Sequence, residues 1–288
     1  MLVAINGERR DPERATVSVF DRGFLFGDAV YEVVRTHGRR PFHLEAHLER
    51  LRRSGDAIGL DVAALLEPVQ RTVAELVAAA PAGEDLMIRL MITRGNSPRL
   101  DLLEAEGPPC WVVMVKELEP FPERYYREGL RLLTVRPEEI VSRVAPWVKS
   151  NNRQANVMAH RLARERGHDD ALFVDPDGHV SEGPTWNLFA VLDGGVVTPP
   201  LAGGVLPGVT RGLVLGLCAS LGLPHEERPI SLEEARRADE LFVTSTTRGV
   251  MPVGRLDGEP VGDGTVPGPV TARLADGLRR LEAESAAG

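Results

Sequence analysis

Residues 146–154 read PWVKSNNRQ, with Lys149 set between an apolar Trp-Val pair and a polar Asn-Asn pair. Of the 34 basic residues in the chain, only Lys116 and Lys149 are lysine. Under such a bias a residue needed only for its positive charge is written as arginine, whereas one needed as an amine survives. Arginine stays protonated in proteins, but an uncharged lysine amine can attack an aldehyde and form a Schiff base. A lysine ordinarily titrates near ~10.4, and burial or a nearby positive charge lowers that value. The apolar residues before Lys149 and the helical pattern after it predict a strand-to-helix junction, where a side chain can point into a cleft.

The surroundings of this stretch are those of a globular protein. The chain has 288 residues, enough for one large domain or two of ordinary size. Its apolar fraction is 43% and its charged fraction 26%. A net charge of −8 weighs against non-specific binding to nucleic acid. It leaves room for a small anionic ligand, which needs only a local cluster of donors. Cys110 and Cys218 are isolated in apolar surroundings, as expected of buried thiols in a reducing compartment. The start, MLVAINGERRD, turns polar after five residues, and no apolar run approaches the ~20 residues of a membrane span. The expectation is a cytoplasmic protein with neither nucleic acid nor membrane as partner.

Short apolar runs alternate with helical patterns along the chain. LVAI, the turn NGE and ATVSVF read as a hairpin, because Asn-Gly is a strong two-residue turn signal. AVYEVVRT, LMIRLMIT, CWVVMVKEL, LRLLTV and ELFVTSTT read as strands, LMIRLMIT and CWVVMVKEL being neighbours. EAHLERLRRSGDAIGL, LEPVQRTVAELVAAA, NNRQANVMAHRLARERG, GVTRGLVLGLCASLG and TARLADGLRRLEAES read as helices. ALFVDPDGHVSEG and NLFAVLDGGVVTPP read as hairpins about Asp-Pro-Asp-Gly and Asp-Gly-Gly. The proline-rich segment 117–128 reads as a linker. Strands mixed with hairpins and helices in both halves predict an α+β fold of two lobes.

No glycine-rich dinucleotide fingerprint, phosphate loop or Gly-x-Ser-x-Gly elbow is present. His43 and His47 are four apart, but Leu44 stands where a zinc-protease helix carries glutamate. They read as ordinary surface or supporting histidines. A pyridoxal phosphate site needs a lysine for the aldehyde, an acid against the ring nitrogen and donors for the phosphate. Lys149 supplies the first. Glu182, on the return strand of the Asp-Pro-Asp-Gly hairpin, supplies the second. Val209 and Thr210 open a helix whose free N–H groups suit a phosphate. Ser245, Thr246 and Thr247 end a strand, and Arg50 adds a charge-assisted donor.

These residues carry a resemblance. DRGFLFGDAVYEVVRT, HLERLRRS, TRGNSPR, VKSNNRQANVMA, DDALFVDPDGHVSEGPTWNLFAV, TPPLAGGVLPGVTRG and ADELFVTSTTRGVMPV run in family order from residue 21 to 253. The chain resembles the fold-type IV pyridoxal-phosphate enzymes: D-amino acid and branched-chain aminotransferases, (R)-selective amine transaminases and 4-amino-4-deoxychorismate lyases. The resemblance implies a small N-terminal domain (1–120), a larger cofactor-binding domain (121–288) and a homodimer. It implies that Lys149 holds the cofactor and moves the proton. Glu182 would pair with the ring nitrogen, supported by Asn187. Arg50, Val209, Thr210, Ser245 and Thr246 would hold the phosphate.

The substrate signals are mixed. Tyr31 and Arg99 match positions that face substrate in D-amino acid aminotransferases. There the arginine is followed, after one residue, by a histidine; here that place is Asp101. Arg22 and Arg248 are further candidates, by position, for gripping a carboxylate. Arg153, in Lys149-Ser150-Asn151-Asn152-Arg153, resembles the lyases and would stand by the cofactor's 3-oxygen, whereas EGPTWN resembles the (R)-amine transaminases. The expectation is transamination from D-amino acids, with (R)-amines as further donors, to a 2-oxo acid. The alternatives are the lyase, a branched-chain L-amino acid aminotransferase, or a non-catalytic cofactor-binding protein.

Overall fold

Long runs of β-branched and aliphatic residues pair into sheets, and two large sheets with a small two-stranded one organise the chain. The computed structural model describes residues 1–102, 104–139 and 147–287; Pro146 of the opening stretch lies outside them. Two compact units are present. The first comprises Met1–Glu119, Val148–Asn152 and Ala283–Gly288; the second comprises Pro120–Trp147 and Arg153–Glu282.

The first unit holds strands β1 (Leu2–Ile5), β2 (Glu8–Arg10), β3 (Ala29–His37), β4 (Arg40–Pro41), β5 (Leu86–Thr93) and β6 (Cys110–Glu117). They form an antiparallel sheet in the order β2-β1-β6-β5-β3-β4. Helix α1 (Arg22–Phe26) precedes β3, and α2 (Leu44–Ala57) and α3 (Leu66–Ala79) pack on the sheet. Alternation fixes the buried face: Val30, Val34, Ile88, Leu90, Ile92 and Val113 are fully buried, with Leu51 and Val73 from the helices.

The hairpin at Asn6-Gly7 forms as read, with both turn residues at positive φ. Its second strand is Glu8–Arg10, however, and ATVSVF is not a strand. Pairing takes the residues directly after a two-residue turn. It ends because Pro12 lacks an N–H and opens a 3-10 turn capped by Asp11.

The second unit holds β7 (Leu130–Val135), β8 (Asp170–Phe173), β9 (His179–Val180), β10 (Asn187–Leu192), β11 (Gly195–Thr198), β12 (His225–Glu227), β13 (Ile230–Ser231), β14 (Glu240–Ser245) and β15 (Gly249–Leu256). The large sheet runs β12-β11-β10-β14-β15-β7-β8, with the short strand β16 (Glu259–Pro260) on β15. Its helices are α4 (Arg124–Arg127), α5 (Gln154–Glu165), α6 (Val209–Ser220), α7 (Leu232–Arg237) and most of α8 (Pro269–Ala287).

NLFAVL and ELFVTS are buried over five successive residues each because both faces of the sheet are covered. Leu188, Leu241, Val243 and Met251 join one core cluster with Ile230 and Ala235. Phe189 and Phe242 turn the other way, stack with ring centres 4.9 Å apart, and meet α6 and α8 through Val214, Leu217, Leu274 and Leu278. Helix α5 lays Ala159 and Ala163 on Leu133, Val135 and Phe173. It starts three residues later than the sequence pattern suggests. Residues 148–152 pair instead with the start of β3: Tyr31 N–H donates to Lys149 O and Asn151 N–H to Ala29 O, at 2.9 and 3.0 Å.

Candidate active site

That pairing positions Lys149 in the first unit. Its N–H donates to Ser54 Oγ on α2 (3.3 Å), and its Nζ lies 4.6 Å from the centre of the Tyr31 ring. Tyr31 is buried, and the Arg89 guanidinium also lies over its ring, at 4.3 Å. Tyr31 and Lys149 are thus brought together.

Arg50 is buried on α2 and forks onto Glu32, with Nε–Oε1 at 2.6 Å and Nη2–Oε2 at 2.7 Å. His47 Nδ1 meets the same Oε2 at 2.8 Å. Glu32 is fully buried. Burial alone would raise its pKa, but the charge and hydrogen bonds of Arg50, with the bond to His47, outweigh this and hold it at about 2. Burial pushes His47 below its ordinary value, and the nearby charges of Arg50 and Lys149 push the same way. His43 is exposed at positive φ ahead of α2, so the two histidines do not share a site. Glu32 was not singled out from sequence. Its signal was there: a carboxylate at alternate spacing with Val30 and Val34 on a buried face needs a buried cation.

Arg99 stands elsewhere, its side chain 85% exposed and paired with Glu106 at 3.2 Å; the structure does not bring it to Tyr31 and Lys149. The loop that carries it is fastened by Arg22. That buried guanidinium binds Asp28 and the carbonyls of Asp101, Leu102 and Glu104. Arg22 therefore serves its own chain rather than standing ready for a carboxylate. Asp101, in place of the expected histidine, accepts the Glu104 N–H and helps close the same loop.

The second unit carries Glu182 and the helix-start and hydroxyl groups expected from sequence as phosphate donors. Glu182 is buried, and its Oε2 accepts the Asn187 amide (3.1 Å) and the Leu206 N–H (3.0 Å). The same Asn187 amide donates to Leu206 O. A Cβ on Gly208 would lie 2.0 Å from Asn187 Oδ1. Glycine is thus required where Asn187 crosses the start of α6. One asparagine links the acid to that helix N-terminus.

Val209 and Thr210 are the first two residues of α6, which has no side-chain cap. Their N–H groups have no carbonyl within the helix to bond. Ser245 closes β14 and Thr246 stands in the following turn, both half-buried. Arg153 and Asn156 both donate to Pro184 O and so steady the turn after Glu182.

Each unit carries groups whose chemistry suits pyridoxal phosphate: in the first an amine against an aromatic face and a buried arginine, in the second a buried, oriented carboxylate, an uncapped helix start and two hydroxyls. Among the described residues no cluster of metal-ligating side chains occurs, and no helix is long and apolar enough to cross a membrane.

Known proteins place the chain. Residues 29–256 match the family described as Amino-transferase class IV. The D-alanine aminotransferase of Bacillus licheniformis is 33% identical over 279 residues, covering 97% of this chain and 96% of that protein. The branched-chain aminotransferase of Thermoproteus uzoniensis, solved with norvaline, superposes with a TM-score of 0.89 at 30% identity, over 99% of this chain and 95% of that one. The branched-chain amino acid aminotransferase of Thermobaculum terrenum, solved in its PLP-bound holo form, gives 0.85 at 25% identity, over 99% and 94%. The chain belongs to the class IV aminotransferases and is a fold-type IV, pyridoxal-phosphate-dependent enzyme of α+β architecture.

Proposed function

We propose that this enzyme transfers the amino group of D-amino acids, and of (R)-amines as a further donor class, to a 2-oxo acid. The placement of Lys149 Nζ on the Tyr31 ring carries the catalytic reading. The likeness to a D-alanine aminotransferase across nearly the whole chain favours the D donors.

With pyridoxal phosphate bound, the site gains an aldehyde that takes up the donor's amine and a ring that stores an electron pair. In this reading Lys149 Nζ would hold the cofactor at its aldehyde carbon. Its amine would serve as the base and acid that moves a proton between the donor's α-carbon and the cofactor's C4′. Glu182 accepts the ring N–H, and Asn187 and the Leu206 N–H keep it oriented. Arg50, the Val209 and Thr210 N–H groups, Ser245 and Thr246 hold the phosphate. Arg153 would stand by the 3-oxygen, and Tyr31 would face the donor. The two halves of the reaction use the same lysine, first with the amino donor and then with the 2-oxo acid.

We further propose a small domain at 1–120, a cofactor-binding domain at 121–288, and a homodimer working in the cytoplasm. A second reading, a branched-chain L-amino acid aminotransferase, is favoured by the likeness to the T. uzoniensis structure.

Absorbance separates the readings when D-alanine, L-leucine, L-glutamate and (R)-1-phenylethylamine are each added without acceptor. Conversion of the visible cofactor band to the near-ultraviolet pyridoxamine band by D-alanine, alone or with the amine, supports the D reading. Conversion by the L-amino acids alone replaces it with the second. An unchanged band with every donor moves the assignment to the lyase.

A further inference from the structure

One buried carboxylate in the second unit has no part in the roles assigned above. Asp170, at the start of β8, is 2% exposed and gathers four donors. Its Oδ1 takes the Ala171 N–H at 3.0 Å and meets His160 Nδ1 at 2.9 Å. Its Oδ2 takes the Trp186 indole N–H at 2.8 Å and Arg248 Nη2 at 3.3 Å.

The last two donors belong to different turns. Trp186 lies on the turn that follows Glu182: its carbonyl accepts the Gly183 N–H, and a Cβ on Gly183 would lie 2.1 Å from its ring. Arg248 ends the turn that carries Ser245 and Thr246, and its N–H donates to Ser245 Oγ at 3.3 Å. Its guanidinium also donates to Thr185 Oγ1 at 2.6 Å and lies over the Phe121 ring at 4.8 Å. A residue considered from sequence as a carboxylate grip is therefore engaged within the protein, between the two turns.

We propose that Asp170, acting through Trp186 and Arg248, is a positioning residue that sets the distance between the ring-nitrogen acid and the phosphate hydroxyls. This rests on the reading of Glu182, Ser245 and Thr246 as cofactor residues. A buried carboxylate shared by two rigid donors fixes both more tightly than either would be fixed by its own turn. Pyridoxal phosphate held by these residues would touch both turns, so its affinity reads their spacing. Pyridoxal, which lacks the phosphate, does not.

The test measures dissociation constants of pyridoxal phosphate and of pyridoxal for the apoenzyme. Asp170→Asn turns one acceptor into a donor while every partner is a donor. It should weaken pyridoxal phosphate at least tenfold and pyridoxal much less. Arg248→Met should do the same, and the double variant should be no worse than the weaker single. His160→Gln removes a partner that serves neither turn; it should leave the ratio of the two affinities unchanged. Wild-type affinity in Asp170→Asn, additive losses in the double variant, or an equal shift in His160→Gln would each overturn the proposal. Should Asp170→Asn fail to fold, Arg248→Lys decides: an unchanged affinity ratio refutes the role and a reduced one supports it. Glu182→Gln and Thr246→Ala run in parallel. If neither alters cofactor binding, the underlying site reading fails; if both do and Asp170→Asn does not, only the positioning role fails.

Discussion

A single side chain shows how much the buried charges of this enzyme matter. Glu32 has no exposure and is satisfied by Arg50 and His47. Removing one partner of a buried ion pair typically costs ~3–5 kcal/mol, because the other charge is left uncompensated. Glu32→Gln should therefore lower the urea midpoint markedly at pH 7. The pH dependence has a fixed sign. The carboxylate drops from its ordinary 4.5 to about 2 on folding, so its stabilisation is complete above pH 4.5 and fades as pH falls toward 2. The gap between wild type and Glu32→Gln should close over that window; a gap that stays constant from pH 7 to 3 would contradict the assignment. Gly208 is a second sensitive position. A methyl there must displace Asn187, so Gly208→Ala should loosen Glu182 by about one hydrogen bond, ~1 kcal/mol. Equilibrium dialysis should show pyridoxal phosphate binding weakened several-fold. Lysine scarcity singled out Lys149 in the sequence, turn and helix signals singled out Glu182 and the α6 start, and the family resemblance singled out Asn187. Asp170 was not singled out, because nothing in HDDALF shows which distant donors a carboxylate will meet.

At the scale of elements, local signals predict well where local energetics decide. The start of α7 is a complete capping box: Ser231 accepts the Glu234 N–H while the Glu234 carboxylate accepts the Ser231 N–H. Ser231→Ala should cost ~1 kcal/mol and lower the melting temperature by roughly 2–4 °C in a chain of this size. Cofactor content should not change, which absorbance checks. The failures are equally instructive. ATVSVF has strand composition but sits beyond Pro12, outside the reach of the hairpin's pairing. Residues 151–153 continue a helical pattern, yet Asn151 gives its N–H to β3. In the first case a nearby proline decided the outcome, and in the second a strand edge that no window of sequence contains.

For the whole molecule, ligand binding and folding are coupled. A ligand that binds only the folded state stabilises it by ~2.7 kcal/mol at a hundred times its dissociation constant. Thermal scans should therefore show the apoenzyme melting lower and recovering as pyridoxal phosphate is added. Lys149→Ala, which lacks the covalent attachment, should show a smaller shift at equal cofactor; an identical shift would argue against its role. By itself the sequence determined the α+β class, the longer helices and most of the longer strands, and it offered the lysine, acid and phosphate-donor candidates. These follow from periodicity, turn chemistry and side-chain reactivity, which are properties of neighbours along the chain. Only the tertiary structure decided that Glu32 binds Arg50, that Arg22 is engaged by a loop some 80 residues on, and that Asp170 joins two separate turns. A buried charge must find its partners wherever folding brings them, and that pairing is set by three-dimensional proximity rather than by spacing in the chain.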